Sequence, residues 1–196
     1  VRGTNAFIDR FNSDVKGHEL EILRDDALYR HLRCSNPAGS CFWFDVVTWP
    51  GALAITGDFG DGYVFRRVDD MLSFFRGSGG RVNLNYWSQK VVSGNGDMMQ
   101  YSTRKFREHL WKAVREANEE NGGIPGLAKA VQYSLRHEYD IHNRNEAHAM
   151  ASDFEHSGFR FEGWESWDVE EWSSSFLWAC HGIVWAISRY DAARAG

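Results

Sequence analysis

The stretch CFWFDVVTWPGALAITGDFGDGYVFRRVDDMLSFF, residues 41–75, holds three short apolar runs separated by turn signals and ends on a helical stripe. Cys41 to Trp49 is apolar on both faces except for Asp45, the pattern of a central strand covered on both sides. Helices are expected on one side of it and loops carrying Trp on the other. Pro50-Gly51 turns the chain into Ala52 to Thr56, and GDFGDG at Gly57 to Gly62 turns it again into Tyr63 to Arg66. Val68, Met71, Leu72 and Phe75 then share one helical face, with Asp69 and Asp70 in a first turn where the helix dipole favours acids. This helix is expected to pack on the sheet.

Towards the N-terminus the period remains two. Leu20 and Ile22 alternate with Glu19 and Glu21 from His18 to Leu23, and Asp25-Asp26 marks a turn. Leu28 to Cys34 alternates less cleanly, and SNPAGS, Ser35 to Ser40, supplies the loop into Cys41. Phe7, Ile8, Phe11 and Val15 repeat at helical spacing behind Thr4, a residue suited to cap a first turn. The fold class expected is α+β, an antiparallel meander of about five strands over residues 18–67 packed against several helices.

Towards the C-terminus helices take over. Phe106, Leu110, Val114 and Ala117 define one, begun by Ser102 or Thr103 and stopped at Gly122-Gly123; Leu127, Val131 and Leu135 define another after Pro125. Ala147, Met150, Ala151 and Phe154 define a third. The closing helix, Ser174 to Tyr190, is apolar nearly all round and is expected at the centre of this helical half. VNLNYWSQKVV, residues 82–92, is bounded by glycines and reads as an irregular strand or a mobile loop. A chain of 196 residues is expected to form one domain, 1–196, with a sheet-rich half at 18–76 and a helical half at 101–191.

Several function classes are disfavoured by composition. The longest apolar run, Phe176 to Ile187, is 12 residues long, where a membrane crossing needs about 20. No basic, apolar leader opens the chain. Cys34, Cys41 and Cys180 are an odd number without zinc-ligand spacing, which suits reduced thiols in a cytosol. The expected location is cytoplasmic, with no membrane and no cofactor.

Charge points to one segment. Residues 137–172 hold 10 Asp and Glu against 2 Arg, net −8, within a chain of net −5. Inside it, DFEHSGFRFEGWESWDVEEW, residues 153–172, alternates carboxylates with large rings. Such a field repels nucleic acid and attracts basic surfaces. The candidate contact residues are Glu162, Trp164, Glu165, Trp167, Asp168, Glu170, Glu171 and Trp172. Carboxylates would steer a basic partner there while indoles supply desolvated anchors. The plainer reading is that Trp164, Trp167 and Trp172 cover the end of the sheet or the closing helix while Glu162, Glu165, Asp168, Glu170 and Glu171 stay solvated.

The alternative is a metal-dependent hydrolase or nucleotide-processing enzyme using His137, Glu138, Asp140 and His142 in the run that continues to Glu146 and His148. His137 and His142 are five apart, about 140° around a helix, so they share a site only if the helix breaks between them. Asn143 with Glu146 reads as the cap of a new helix and allows that break. GDFGDG has no lysine after it and leads into a strand, so Asp58 and Asp61 are first of all turn residues, and only secondarily a cation site or general base. Asp45 on a covered face needs donors, and an Arg or an indole would serve. His181 reads as a satisfied core residue and Cys180 as a small apolar filler. Arg104, Lys105, Arg107, Lys112 and Arg115, near Tyr101 and Trp111, could follow a phosphate backbone. Glu108, Glu116, Glu119 and Glu120 dilute this set, and the net charge speaks against direct nucleic-acid binding.

WFDVVTWPGALAITGDFGDGYVFRRVDDMLSFF at Trp43 to Phe75 and FLWACHGIVWAISRYD at Phe176 to Asp191 resemble a family of uncharacterised bacteriophage and prophage proteins over about half the chain. The TWPG turn, the following TGD and the phenylalanine-rich helix carry the likeness. The resemblance transfers no activity and no catalytic residue. It implies a context: small phage accessory proteins act inside the bacterium by occupying host machinery, including defence complexes with basic nucleic-acid channels. The function expected is therefore stoichiometric binding to a host protein or nucleoprotein complex with a basic surface, as an anti-CRISPR or other anti-defence inhibitor.

Overall fold

Alternation and turn chemistry build the first part of the molecule. The computed structural model describes residues 2–39, 41–77, 79–120 and 122–195, apart from the side chains of residues 2–5, 61 and 95. The side chains of Thr4 and Asp61, together with Ser40, lie outside the described residues. Helix α1 (Arg2–Asp14) comes first. Strands β1 (Glu19–Asp26), β2 (Tyr29–Ser35), β3 (Phe44–Trp49), β4 (Ala52–Gly57), β5 (Gly60–Arg66) and β6 (Val91–Ser93) then pair antiparallel in chain order, and the chain is α+β. Gly51 turns β3 into β4 with φ +80°. Gly57 ends β4 where a Cβ would collide with the Trp43 carbonyl oxygen, so no larger residue fits without backbone movement.

The sixth strand corrects the reading of residues 82–92. Asn83 accepts a hydrogen bond from the Tyr86 amide at 3.1 Å and caps a short helix, α3 (Leu84–Ser88). Trp87 anchors that helix from within the core, 4.7 Å from the Phe75 ring and edge-on to it. The chain then enters β6 beside β5, with Val64 opposite Ser93 and Phe65 opposite Val91. The helix after β5 begins later than its apolar stripe suggests. Helix α2 (Met71–Arg76) begins at Met71 because the Asp70 carboxylate accepts the Leu72 amide at 3.1 Å, so Asp70 is its cap rather than a first-turn residue. Val68 precedes the helix and is exposed.

The chain divides into two compact units, residues 1–99 with 172–196, and residues 100–171. The sheet-rich part thus runs past 76 to 99 and takes back the C-terminus, and the helical part ends at 171 rather than 191. Two short strands, β7 (Met99–Tyr101) and β8 (Glu170–Trp172), pair where the chain leaves and rejoins the first unit. The second unit contains α4 (Thr103–Glu120), α5 (Leu127–His137) and α6 (Arg144–Asp153) around Phe106, Leu110, Val114, Val131, Met150 and Phe161.

The closing helix, α7 (Ser174–Ala195), belongs to the first unit and not to the centre of the helical one. Leu32, Phe44, Val46, Leu53, Ile55, Tyr63 and Phe65 form one apolar face of the sheet, and α7 covers it with Phe176, Trp178, Ala179, Ile183 and Ala186. Trp178 is the hub. It stacks on Phe59 at 4.8 Å and meets Phe11 and Phe44 edge-on at 5.1 and 5.0 Å. At the far end Arg76 binds Asp191 at 2.5 Å, while Tyr190 and Arg194 bind Asp25 at 3.0 and 2.6 Å. Both ends of α7 are therefore tied to the sheet unit. Among the described residues no helix is long and apolar enough to cross a membrane.

Trp178→Ala is expected to destabilise the first unit by about 3–5 kcal/mol, the range for a buried Trp truncated to Ala, measured by urea unfolding. A loss below about 1 kcal/mol would contradict this placement of the hub.

Candidate functional site

A left-handed glycine, Gly163 with φ +65°, starts a 3₁₀ turn over Trp164–Ser166, and the chain then runs extended through Asp168 into β8. This path fixes the rings of the acidic tract. Trp167 lies nearly parallel to His109 at 5.6 Å and packs on Phe106 and Phe161 at 5.7 and 5.9 Å. Trp164 rests against His148 at 5.3 Å. Trp172 falls in the first unit, 5.3 Å from Phe176. All three indoles are half-buried.

The carboxylates divide into two groups. Lys105 reaches Asp168 at 2.7 Å, Arg104 reaches Glu171 at 3.1 Å and Arg144 reaches Glu170 at 3.0 Å. Arg160 binds Glu155. The Lys105 ammonium, helped by the Glu170 amide, holds the Asp168 carboxyl below the usual carboxylate range. Pairs this exposed add little to stability, yet they cancel charge where they stand. Glu162 and Glu165 are exposed and have no ion pair among the described residues. Of the eight expected contact residues, Glu162, Trp164 and Glu165 form an open end, and Trp167, Asp168, Glu170 and Glu171 are latched to α4 and α6.

The break between His137 and His142 exists, since α5 ends at His137 and Asn143 caps α6 through the Asn145 amide at 2.8 Å. Three of the four side chains of the hydrolase alternative, those of His137, Glu138 and Asp140, nevertheless serve separate local purposes. His137 packs on the Tyr133 ring at 4.8 Å, Glu138 accepts the Ser134 hydroxyl at 2.5 Å, and Asp140 accepts the His142 amide at 3.1 Å. Among the described residues no group of three or more His, Cys, Asp or Glu is placed to hold a metal ion. Asp58 accepts the Phe42 amide at 3.1 Å, a turn role. His181 lies against Phe7 and Phe11, and burial lowers its pKa; burial pushes the Cys180 thiol up.

Two arrangements are only partly legible in the sequence, which marks Asp45 as needing donors and the basic set of residues 104–115 as a possible phosphate contact. On β3, buried Asp45 accepts Arg33 Nε at 2.9 Å, Arg33 Nη2 at 2.8 Å and His31 Nε2 at 2.9 Å. Arg33 and Asp45 are cross-strand partners, which no single-strand pattern reveals. The Arg33 guanidinium lies 5.4 Å over the Trp43 ring. A shallow cleft of about 360 Å³, lined by Arg33, Ser35, Asn36, Gly39 and Trp43, opens beside it. With Nε and Nη2 spent on Asp45, this is a structural clamp rather than a free anion binder. The second arrangement is a groove on α4, lined by Thr103, Arg104, Arg107, Glu108, Trp111 and Arg115. Compared with protein-family models, curated proteins and solved structures, the chain has no match.

Burial pushes the Asp45 carboxyl up, but hydrogen bonds and charge from Arg33 and His31 outweigh it, and its pKa is lowered. A lowered folded-state value stabilises above the unfolded value of about 3.9, and the gain disappears as pH falls through the folded value. Asp45→Asn is therefore expected to lower the urea midpoint at neutral pH and to converge on the parent chain as pH drops below about 4. An undiminished gap in acid would contradict the clamp. Trp167→Ala is expected to cost about 2 kcal/mol, roughly half the figure for a fully buried Trp, and Trp164→Ala less than about 1 kcal/mol. Equal losses in urea unfolding would contradict the division between latched and open ends.

Proposed function

We propose that this chain is a stoichiometric binding protein that docks on a basic surface of a host protein or nucleoprotein complex through Glu162, Trp164 and Glu165. The observation that carries this reading is the placement of charge. The second unit has 14 acids against 9 bases, net −5, while the first has 13 of each. Within the second unit the exposed Glu162 and Glu165 flank a half-buried indole and have no ion pair among the described residues. Charges of this kind steer encounter with a basic partner, and an indole whose inner edge is fixed by packing loses little entropy when its outer edge is covered. Asp168, Glu170 and Glu171 contribute rigidity to the contact face instead of net charge.

The resemblance of residues 43–75 and 176–191 to phage and prophage proteins favours a setting in the bacterial cytosol. An anti-CRISPR or other anti-defence inhibitor, covering a basic channel, is the reading that combines that setting with this face. The hydrolase alternative has no comparable support, because Glu138 and Asp140 are spent on local hydrogen bonds and His137 on a ring contact.

The test is a titration of the intact chain into a fluorescent Lys/Arg-rich peptide at about 0.05 M and about 0.5 M salt, which spans strong and weak screening. Saturable binding that weakens with salt is expected, and E162K/E165K is expected to reduce it about tenfold or more. Affinity unchanged in that variant would overturn the assignment of the face.

A further inference from the structure

Residues 104, 107, 111 and 115 of α4 fall within about 80° of its circumference at about 100° per residue. Arg104, Arg107, Trp111 and Arg115 therefore share one face, and with Thr103 and Glu108 they line a shallow groove of about 590 Å³. This is a different face from the buried stripe of Phe106, Leu110 and Val114. Four of the acids around it are engaged, while Glu119, one turn beyond Arg115, is exposed and has no ion pair among the described residues. Glu108 binds Arg104 at 2.8 Å, Glu116 lies 3.6 Å from Lys112, and Glu171 and Asp168 bind Arg104 and Lys105. Arg107 and Arg115 are exposed and have no ion pair among the described residues. They stand one helical turn on either side of the half-buried Trp111.

We propose that this groove binds a short segment of single-stranded nucleic acid, with phosphates at Arg107 and Arg115 and one base stacked on Trp111. Successive steps of four residues advance about 6 Å along the helix, a spacing comparable to one extended nucleotide. An aromatic ring between two unpaired cations is the pattern of sequence-tolerant single-strand sites, in which every base offers a π-face. An acidic peptide would use the guanidinium groups but would leave the indole unoccupied. The net charge of the second unit opposes approach from afar, yet beyond a Debye length of about 10 Å at 0.1 M salt that opposition is screened. The acid that lines the groove, Glu108, is neutralised by Arg104. The site stands independently of the acidic contact face, and a nucleoprotein partner would present ligands to both.

The probe is a fluorescein-labelled oligothymidylate of about 12 nucleotides, a length within ordinary single-strand site sizes, titrated with the intact chain at about 0.05 M salt. Saturable binding is expected, with a log–log salt slope near −1.4 to −2, about 0.7 per phosphate contacted. R107A/R115A is expected to reduce the magnitude of that slope by about 1.4. W111A is expected to lose about 5- to 100-fold in affinity at unchanged slope, with W111F retaining most of the binding. K129E/R136E places the same charge change elsewhere on the second unit and is expected to leave affinity within about twofold, whereas R107E/R115E is expected to lose more than about tenfold. Circular dichroism establishes that each variant is folded. Absence of saturable binding, a neutral W111A, or equal loss in K129E/R136E and R107E/R115E would overturn the proposal, as would displacement of the oligonucleotide by polyglutamate of equal charge. Binding of the cationic peptide is expected to be unchanged in W111A, so the two assignments fail separately.

Discussion

The apolar face of the antiparallel sheet has to be covered, and the helix that covers it is the last element of the chain. Trp178 takes the centre of that contact, surrounded by Phe11, Phe42, Phe44 and Phe59. Between β6 and α7 the chain leaves the sheet unit and comes back. Residues 100–171 are that excursion, and the acidic tract is its return path. A return path cannot be free ribbon if α7 is to start in register at Ser174; Trp167, packed on Phe106 and Phe161, fixes it, and the ion pairs form along the path so fixed. Lys105, Arg104 and Arg144 hold Asp168, Glu171 and Glu170 in the last residues before the chain rejoins the first unit. The Ser173 hydroxyl then accepts the Phe176 amide at 3.1 Å and starts the helix.

Fixing the tract also sorts the charges. Cations of α4 that hold the return path are unavailable to a ligand, and acids held by them are unavailable to a basic partner. The charges left without an ion pair among the described residues include Glu162 and Glu165 in the tract and Arg107 and Arg115 beside Trp111 on α4. A count along the chain gives net −8 over residues 137–172 but cannot show this partition, because the neutralising Arg104 and Lys105 lie more than sixty positions away from their partners. Both candidate surfaces are by-products of one structural requirement, which is why they sit on the same unit without cancelling each other.

Much of the sheet was legible because its signals are local. Period-two alternation, the Pro50-Gly51 turn and the glycines of GDFGDG specify β1 to β5 without reference to anything distant. Asp45 was legible as a carboxylate in need of donors, but not as the partner of Arg33 and His31, since cross-strand register is a tertiary fact. The α3–β6 segment was missed because a single capping Asn83 and one buried Trp87 decide it, and neither produces periodicity. Ownership of α7 is not legible for a related reason. A run such as FLWACHGIVWAI announces burial but does not say against which core, and chain proximity to the helical elements suggested the wrong one. The tract's composition was plain, while its exposure and pairing depended on helices that fold elsewhere in the sequence.

Helix α7 is part of the sheet unit and not of the helical one. Hydrogen exchange of the intact chain followed by mass spectrometry across a series of sub-denaturing urea concentrations resolves cooperative units directly. The amides of α7 are expected to open together with those of β3, β4 and β5, at a free energy distinct from that shared by α4, α5 and α6. Opening of α7 in step with α4 to α6 while the sheet stayed protected would contradict it.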